Sequence, residues 1–167
     1  MSEARLNFVR QQGFQDANAR TCDVEYPALM FQPRVVGLLV LAGVLLQSPA
    51  LFLILSAVLW WSALVPRANP FDRLHDLLAT LRQNPSRLAA APAPRRFSQG
   101  MAATFMLLIG VSLLTGWRGL AGALEGLLLI ALGALVIGKF CLGSYLFHLF
   151  TGNGTFAKRT LPWSRGV

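Results

Sequence analysis

Four residues near the end of the second of two long apolar blocks have the types and spacing of a reactive-thiol site. Cys141, Ser144, Tyr145 and His148 follow at i, i+3, i+4 and i+7, so a continuous helix places them on one polar stripe. A Cys-x-x-Ser pair is a single-thiol version of a redox Cys-x-x-Cys, and a nearby histidine can deprotonate a thiol. These four residues are the catalytic candidates. The alternative is a packed helix end with snorkelling polar groups.

The position of Cys141 along its helix decides between these interpretations. Reactive thiols usually lie at helix N-termini, where the helix dipole stabilises the thiolate. We predict a continuous helix over about 120–150, which puts Cys141 toward the C-terminal end, where the dipole opposes the thiolate. A break at Gly138 or Gly143 would reverse this argument. We expect Cys141 to face inward and to be reduced.

Glu125 is the only acidic residue inside either apolar block. A carboxylate within a membrane segment indicates a proton or cation path, which makes Glu125 the transport candidate. It also lies only about two helical turns from Arg118, so an ion pair with Arg118 or snorkelling to the membrane surface is the alternative.

Metal and cofactor sites are not predicted. Cys22, His75, Cys141 and His148 have the residue types of a zinc site, but none is paired at the short spacing usual for zinc. Phosphate-binding loops, nucleotide fingerprints and hydrolase triads are absent from the sequence. We therefore expect no metal and no cofactor.

Charge and hydropathy are segregated along the chain. All but one of the 15 Lys and Arg residues lie outside two apolar blocks, Val35 to Val65 and Met101 to Gly138. Each block is too long for one crossing of about 20 residues and has turn-forming residues near its middle, so each predicts a membrane hairpin. The basic flanks predict that both termini and the central loop are cytoplasmic. The net charge of +8 follows from this orientation, so no nucleic-acid partner is expected.

The predicted fold class is therefore an all-α integral membrane protein with four transmembrane helices arranged as two hairpins. The first hairpin is short, so a re-entrant hairpin that does not reach the far side is an alternative. The predicted segments are an N-terminal arm at 1–28, a single membrane domain at 29–150 with helices at about 29–47, 49–65, 98–115 and 120–150, an interfacial amphipathic helix at 70–82, and a C-terminal tail at 151–167.

Four glycines reduce the side-chain volume along the last predicted helix. Gly122 and Gly126 form a G-x-x-x-G pair, and Gly133 and Gly138 follow. Such residues let helices approach closely, so we expect helix packing here, either within the four-helix unit or in a homo-oligomer.

Two segments resemble a known bacterial family. Gly138-Lys139-Phe140-Cys141-Leu142-Gly143-Ser144-Tyr145-Leu146 is similar to the terminal signature of the family of unknown function 4395, and Pro94-Arg95-Arg96-Phe97-Ser98-Gln99-Gly100 is similar to its entry into the second hairpin. The resemblance covers residues 30 to 147 and implies a bacterial inner-membrane protein. Many relatives carry a second cysteine where this chain has Ser144. Some are encoded near thioredoxin-like or sulfur-transfer proteins, which implies sulfur or redox traffic and a soluble partner of that kind.

Three functions are consistent with these residues. A structural or accessory subunit of the inner membrane needs only packing surfaces, and we rank it first. Thiol or sulfur redox chemistry at Cys141 is second, and a small transporter with Glu125 in its path is third. Apart from the lipid bilayer, the expected partners are a second copy of the chain or a soluble thioredoxin-like or sulfurtransferase protein.

Overall fold

The computed structural model describes residues 3–14, 19–81 and 91–164, and every regular element in these ranges is helical. This confirms the all-α class. A 3₁₀ turn lies at Pro66–Ala68. The helices are α1 Glu3–Gln11, α2 Ala19–Leu46, α3 Pro49–Leu64, α4 Pro70–Leu81, α5 Ala93–Leu114, α6 Arg118–Val136, α7 Leu142–Phe150 and α8 Gly154–Arg159.

Within the described ranges, three helical segments are long and apolar enough to cross a membrane. They are Glu25–Leu46 within α2, Ala93–Leu114 and Arg118–Val136. The apolar helix α3 has only 16 residues, about 24 Å of helix at 1.5 Å per residue, against a hydrocarbon core of about 30 Å. Three spans are compatible with a multi-pass membrane protein, and the fourth crossing stays a prediction.

The outer faces of these helices carry exposed aliphatic side chains. Leu38, Leu45 and Ile130 are 70%, 76% and 72% exposed. Water would make such a surface costly, because burial of apolar area is the main driving force for folding. A surrounding of lipid removes this cost, which agrees with membrane-spanning helices.

The turn between α2 and α3 has the predicted helix-start chemistry. Pro49 occupies the first turn of α3, and the Ser48 hydroxyl accepts a hydrogen bond from the Leu51 amide at 3.4 Å. This confirms the predicted start at Pro49. Nearby, a Cβ on Gly110 of α5 would lie 2.8 Å from the Leu53 side chain and 3.3 Å from the Pro49 carbonyl oxygen. The start of α3 therefore lies beside the last turns of α5. The α2–α3 turn and the α5–α6 turn, called the outer turns below, share one end of the bundle.

A buried ion pair organises the opposite end. The Arg95 guanidinium at the start of α5 binds both carboxylate oxygens of Asp72 in α4, at 2.7 and 3.2 Å, and donates to Gln32 Oε1 of α2 at 3.1 Å. Arg95 is only 4% exposed. These bonds tie α4 to both hairpins. The helix predicted at 70–82 is found at Pro70–Leu81, and its leucines are exposed.

In the segment predicted as an N-terminal arm at 1–28, the described residues before Phe14 pack on the bundle. Residues 3–11 form α1, where Phe8 and Val9 are 1% and 0% exposed and pack with Leu29 and Met30. The two apolar residues pull the short helix onto the bundle, because their burial removes apolar surface from water. The next helix also begins earlier than residue 29, at Ala19.

The segment predicted as tail, 151–167, is likewise folded in its described part. It contains α8, and the Asn7 side-chain amide donates to the carbonyls of Leu161 and Ser164, both at 3.1 Å. The two ends of the chain therefore contact each other.

The predicted continuous helix over 120–150 is wrong. α6 ends at Val136 and α7 begins at Leu142. Lys139 has a φ of +54°, the left-handed conformation that ends a helix, and the Phe140 amide closes the end by donating to the Ala134 carbonyl at 3.1 Å. Gly138 precedes this residue, and a Cβ there would meet the Ala134 carbonyl oxygen at 2.6 Å. Gly138 therefore serves the helix end, and its role in helix packing stays a prediction.

Candidate thiol site

The break between α6 and α7 places Cys141 at the start of a helix. Cys141 is the N-cap residue of α7, with extended backbone angles (φ −96°, ψ 103°), and is 5% exposed. The N-terminal end of a helix carries partial positive charge, so the α7 dipole favours an anion at this position. The objection raised by a continuous helix is therefore removed. Burial acts in the opposite direction, because it disfavours a charged sulfur.

The sulfur contacts hydroxyl groups of two helices. Cys141 Sγ lies 3.3 Å from Ser98 Oγ of α5, and Ser98 Oγ lies 2.9 Å from Ser144 Oγ of α7. The Pro94 carbonyl accepts from Ser98 at 3.0 Å and from Ser144 at 3.4 Å. Cys141 and Ser144 are thus brought together as predicted from their spacing, with Ser98 between them.

This arrangement fits both charge states of the sulfur. A hydroxyl donates one hydrogen bond and can accept two. With a neutral thiol, Cys141 can donate to Ser98 while Ser98 donates to the Pro94 carbonyl. With a thiolate, Ser98 can turn its hydrogen to the sulfur and accept a hydrogen bond from Ser144 at 2.9 Å. Both hydroxyl groups therefore keep a partner in either state.

Gly143 makes the contact between α7 and α5 sterically feasible. A Cβ at Gly143 would lie 2.7, 2.8 and 2.9 Å from the Oγ, Cα and Cβ atoms of Ser98. Real Cβ atoms do not approach other atoms so closely. Any larger residue at 143 would push Ser98 away from the sulfur.

Gln11 of α1 closes the site from the other side. Its side-chain oxygen accepts a hydrogen bond from the Cys141 amide at 3.0 Å, and its backbone carbonyl lies 3.0 Å from His148 Nε2. A carbonyl oxygen only accepts hydrogen bonds, so Nε2 of His148 carries the hydrogen. His148 therefore orients α1 over the thiol. The sequence predicts His148 as a base for the sulfur. In the structure, its Nε2 hydrogen bonds to the Gln11 carbonyl.

Tyr145 belongs to a different cluster. Its ring packs against Phe140, with centroids 5.5 Å apart, and Phe140 in turn packs against Trp163 at 6.3 Å. The four residues of the predicted stripe therefore have different surroundings. Cys141 and Ser144 both contact Ser98, and His148 is linked to Cys141 through Gln11. Tyr145 packs in a separate aromatic cluster.

Two cavities meet at Cys141. The inner cavity has a volume of about 80 Å³ and includes Gln12, Gln32, Arg95 and Gln99 in its lining. The outer cavity, about 190 Å³, lies between α5 and α6 and has an apolar lining. Five residues line both cavities: Ser98, Ala102, Leu132, Leu135 and Cys141.

Glu125 is buried and lies away from this site. It is 5% exposed, and both carboxylate oxygens accept from the Gln47 side-chain amide, at 3.3 and 3.2 Å. Gln47 belongs to the α2–α3 turn, so the bond joins this turn to α6. The partner is thus Gln47, and the exposed Arg118, expected as a partner, makes no ion pair with Glu125 in the part of the chain described here.

The other predicted glycine sites are open. A Cβ at Gly122, Gly126 or Gly133 would meet nothing within 4 Å, so these glycines do not pack within the unit as described. Packing against a second copy remains a prediction.

The residues with metal-binding side chains are separate. His75 packs edge-on against Phe31, and His148 packs against Phe156. The Cys22 side chain lies outside the described part. Among the described residues, no group of three or more His, Cys, Asp or Glu could hold a metal ion.

Sequence reasoning missed Gln11, Ser98 and Gln99 as site residues. Ser98 and Gln99 lie in the segment that carried the family resemblance, so their place at the entry of the second hairpin was a usable signal. Gln11 had no such signal, because it lies 130 residues from Cys141 in sequence.

Comparison with known proteins identifies the family. No curated protein and no solved structure matches the chain. The profile of the family described as "Domain of unknown function (DUF4395)" matches residues 24–151, which include most of α2, all of α3 to α7 and Cys141 but not Gln11. Since this match covers most of the chain, the protein belongs to the DUF4395 family.

Proposed function

We propose that this protein is a sulfur carrier of the bacterial inner membrane, with Cys141 as the residue that takes up sulfur. The observation that carries the proposal is the helix break, which puts the thiol at the start of α7 and against the hydroxyl of Ser98. The N-terminus of a helix is a favourable place for an anion, and the Ser98 hydroxyl can donate a hydrogen bond to the sulfur. The thiolate is the nucleophilic form of cysteine. The implied partner is a soluble thioredoxin-like or sulfurtransferase protein.

The proposed reaction is transfer of one sulfur atom from a persulfide. The Cys141 thiolate attacks the terminal sulfur of a donor R–S–SH, a bond forms between the two sulfurs, and R–S⁻ leaves with the electron pair of the broken S–S bond. The proton released by Cys141 ends on R–S⁻, so the net change is Cys–SH plus R–S–SH to Cys–S–SH plus R–SH. No oxidant is needed. The reverse reaction with another thiol delivers the sulfur.

A lone thiol suits transfer better than disulfide formation. Position 144 holds a serine whose hydroxyl is bonded to Ser98, so the site presents one sulfur and not a Cys-x-x-Cys pair. A dithiol oxidoreductase needs a second thiol to resolve its mixed disulfide. A persulfide carrier does not.

The test is sulfur uptake by the full chain in lipid nanodiscs. After incubation with cysteine persulfide, mass spectrometry should find one added sulfur atom on the peptide that contains Cys141. Cys141→Ser should abolish uptake, whereas Cys22→Ser should not. Uptake that is absent, or that is lost with Cys22→Ser, contradicts the proposal.

Ser98→Ala tests the role of the hydroxyl. Hydrogen bonds to charged groups contribute about 1.5–3 kcal/mol, so the uptake rate should fall about tenfold or more. Ser112→Ala is the matched control, because Ser112 is a buried serine near the other end of α5. An equal rate in the two variants would refute the role of Ser98.

The proposed location has both termini and the central loop in the cytoplasm. The support is the distribution of basic residues, which resist export, and the placement of α1 and the α4–α5 region at the end opposite the outer turns. Reporter fusions at Pro85 and after Val167 should both read cytoplasmic. A periplasmic reading at either site contradicts this topology.

A structural or accessory subunit is the second candidate. The observation in its favour is the open glycine face of α6, where Gly122 and Gly126 leave room for another helix. Cross-linking from Ala123 to a second copy or a stable partner in the purified native complex would support it. The structure offers less support for the transporter candidate, because Glu125 lines neither the inner nor the outer cavity.

A further inference from the structure

We infer that the paired cavity at Cys141 binds a small amphipathic molecule, with an apolar group of about the size of an aromatic ring between α5 and α6 and a hydrogen-bond donor at Gln99. This inference rests on the proposed function, because it names the class of reactant that reaches the thiol. The carrier has two reactants, one that donates sulfur and one that accepts it. The inference adds that one of them is a small molecule from the lipid side, and the other is the soluble partner.

The inner cavity contains a buried acceptor without a donor. Gln99 is 6% exposed, and its amide nitrogen donates to Gln32 Oε1 at 2.9 Å. Its oxygen, Oε1, is buried and has no hydrogen-bond partner in the described residues. Reversing the amide would set its oxygen against Gln32 Oε1, which already accepts from Arg95. A buried acceptor without a donor is unfavourable, so this oxygen favours a ligand that donates a hydrogen bond.

The outer cavity sets the apolar part. Its lining includes Met101, Phe105, Leu128 and Ala131, with Ser98 and Cys141 at the polar end. Its volume of about 190 Å³ exceeds the roughly 150 Å³ of an engineered apolar cavity that binds benzene. One ring or a short branched chain fits this space, and a long acyl chain does not.

The rim of the outer cavity points to the route of entry. Leu127 and Leu142, which line it, are 55% and 41% exposed. Leu127 lies on α6, one of the helices long and apolar enough to span a membrane. A reactant that enters past this residue comes from the bilayer. Cys141 then lies where the outer cavity meets the inner cavity, whose lining includes Gln99.

The first test compares access of two reagents to Cys141 in nanodiscs, in a Cys22→Ser background. N-phenylmaleimide should label Cys141 at least tenfold faster than a sulfonated maleimide, after division by their rates with free cysteine. Ala131→Phe fills the outer cavity and should remove most of this preference. Ala123→Phe is the matched control, since Ala123 lies on the same helix, is exposed and does not line the cavity. An unchanged preference in Ala131→Phe overturns the apolar route.

The second test addresses the donor. Benzamide carries a ring and two N–H donors, and N,N-dimethylbenzamide lacks the donors. Benzamide should protect Cys141 from N-phenylmaleimide at a concentration at least fivefold lower, and Gln99→Leu should make the two equal. Equal protection in the unsubstituted protein overturns the role of Gln99.

These outcomes are separable from those of sulfur uptake. If Cys141 accepts sulfur but shows neither the reagent preference nor the benzamide difference, the ligand site is refuted and the carrier function stands. If benzamide protects as expected but Cys141 accepts no sulfur, the carrier function is refuted and the ligand site stands.

Discussion

Replacing Gly143 by alanine tests the contact on which the thiol site depends. The new Cβ would lie 2.7 Å from Ser98 Oγ and 2.8 Å from Ser98 Cα. Rotation of the hydroxyl can relieve the first contact but not the second, which involves backbone. α7 and α5 must therefore move apart at this point, and the Ser98 hydroxyl must leave the sulfur.

The expected loss of stability combines two terms. Overpacking of a close contact costs about 1–3 kcal/mol, and alanine recovers up to about 1 kcal/mol over glycine in a helix. A mid-range overpacking cost of about 2 kcal/mol, less a gain of up to about 1 kcal/mol, leaves a net loss of about 1–2 kcal/mol. For a chain of this size, each kcal/mol shifts the melting temperature by about 2–4 °C. Gly143→Ala should therefore lower the melting temperature by about 2–8 °C.

The assay is thermal unfolding in detergent, followed by intrinsic tryptophan fluorescence, together with the rate of N-phenylmaleimide labelling at Cys141. Gly122→Ala is the control, because a Cβ there meets nothing within 4 Å and only the gain in helix propensity remains. Gly122→Ala should melt at the same temperature as the unsubstituted protein or slightly higher. Equal melting of both variants, or unchanged labelling in Gly143→Ala, would refute the packing argument.

Three further predictions concern other parts of the molecule. Asp72→Asn leaves the buried Arg95 charge unpaired and should lower the free energy of unfolding in detergent by about 3 kcal/mol. Adding Arg95→Met to the same chain should restore part of this loss. An unchanged free energy of unfolding in Asp72→Asn contradicts the prediction. Gln11→Ala removes the acceptor for the Cys141 amide and should speed maleimide labelling several-fold without a change in sulfur stoichiometry; an unchanged rate means that α1 does not cover the thiol. Glu125→Gln should leave ion flux in liposomes unchanged, and a lost flux would restore the transporter candidate.

Features set by local chemistry could be predicted from the sequence. The start of α3 follows from Ser48 and Pro49, and the amphipathic pattern after Pro70 gave α4 nearly residue for residue. The apolar helices were predicted because their length and composition match a hydrocarbon core. In each case the evidence lies within one helix or one turn.

The break before Cys141 could not be predicted with the same means. Apolar residues continue through Leu142 and Leu146, so hydropathy indicates one helix. The break depends on the left-handed backbone of Lys139, a residue type that does not favour this conformation. Contacts between distant segments, such as Ser98 with the sulfur, override the local pattern.

The bonds between the two ends of the chain also determine when the site can form. Gln11 pairs with residues 130 and 137 positions away, and Asn7 with residues 154 and 157 positions away. At a synthesis rate of about 5–20 residues per second, α1 waits roughly 7–25 s for Cys141 to be made. During this time Phe8 and Val9 lack the partners contributed by the end of the chain. A chain interrupted before α7 keeps exposed the part of this apolar surface that Cys141 covers, and exposed apolar surface is what chaperones and membrane proteases recognise. The N-terminal helix thereby couples assembly of the thiol site to completion of the protein.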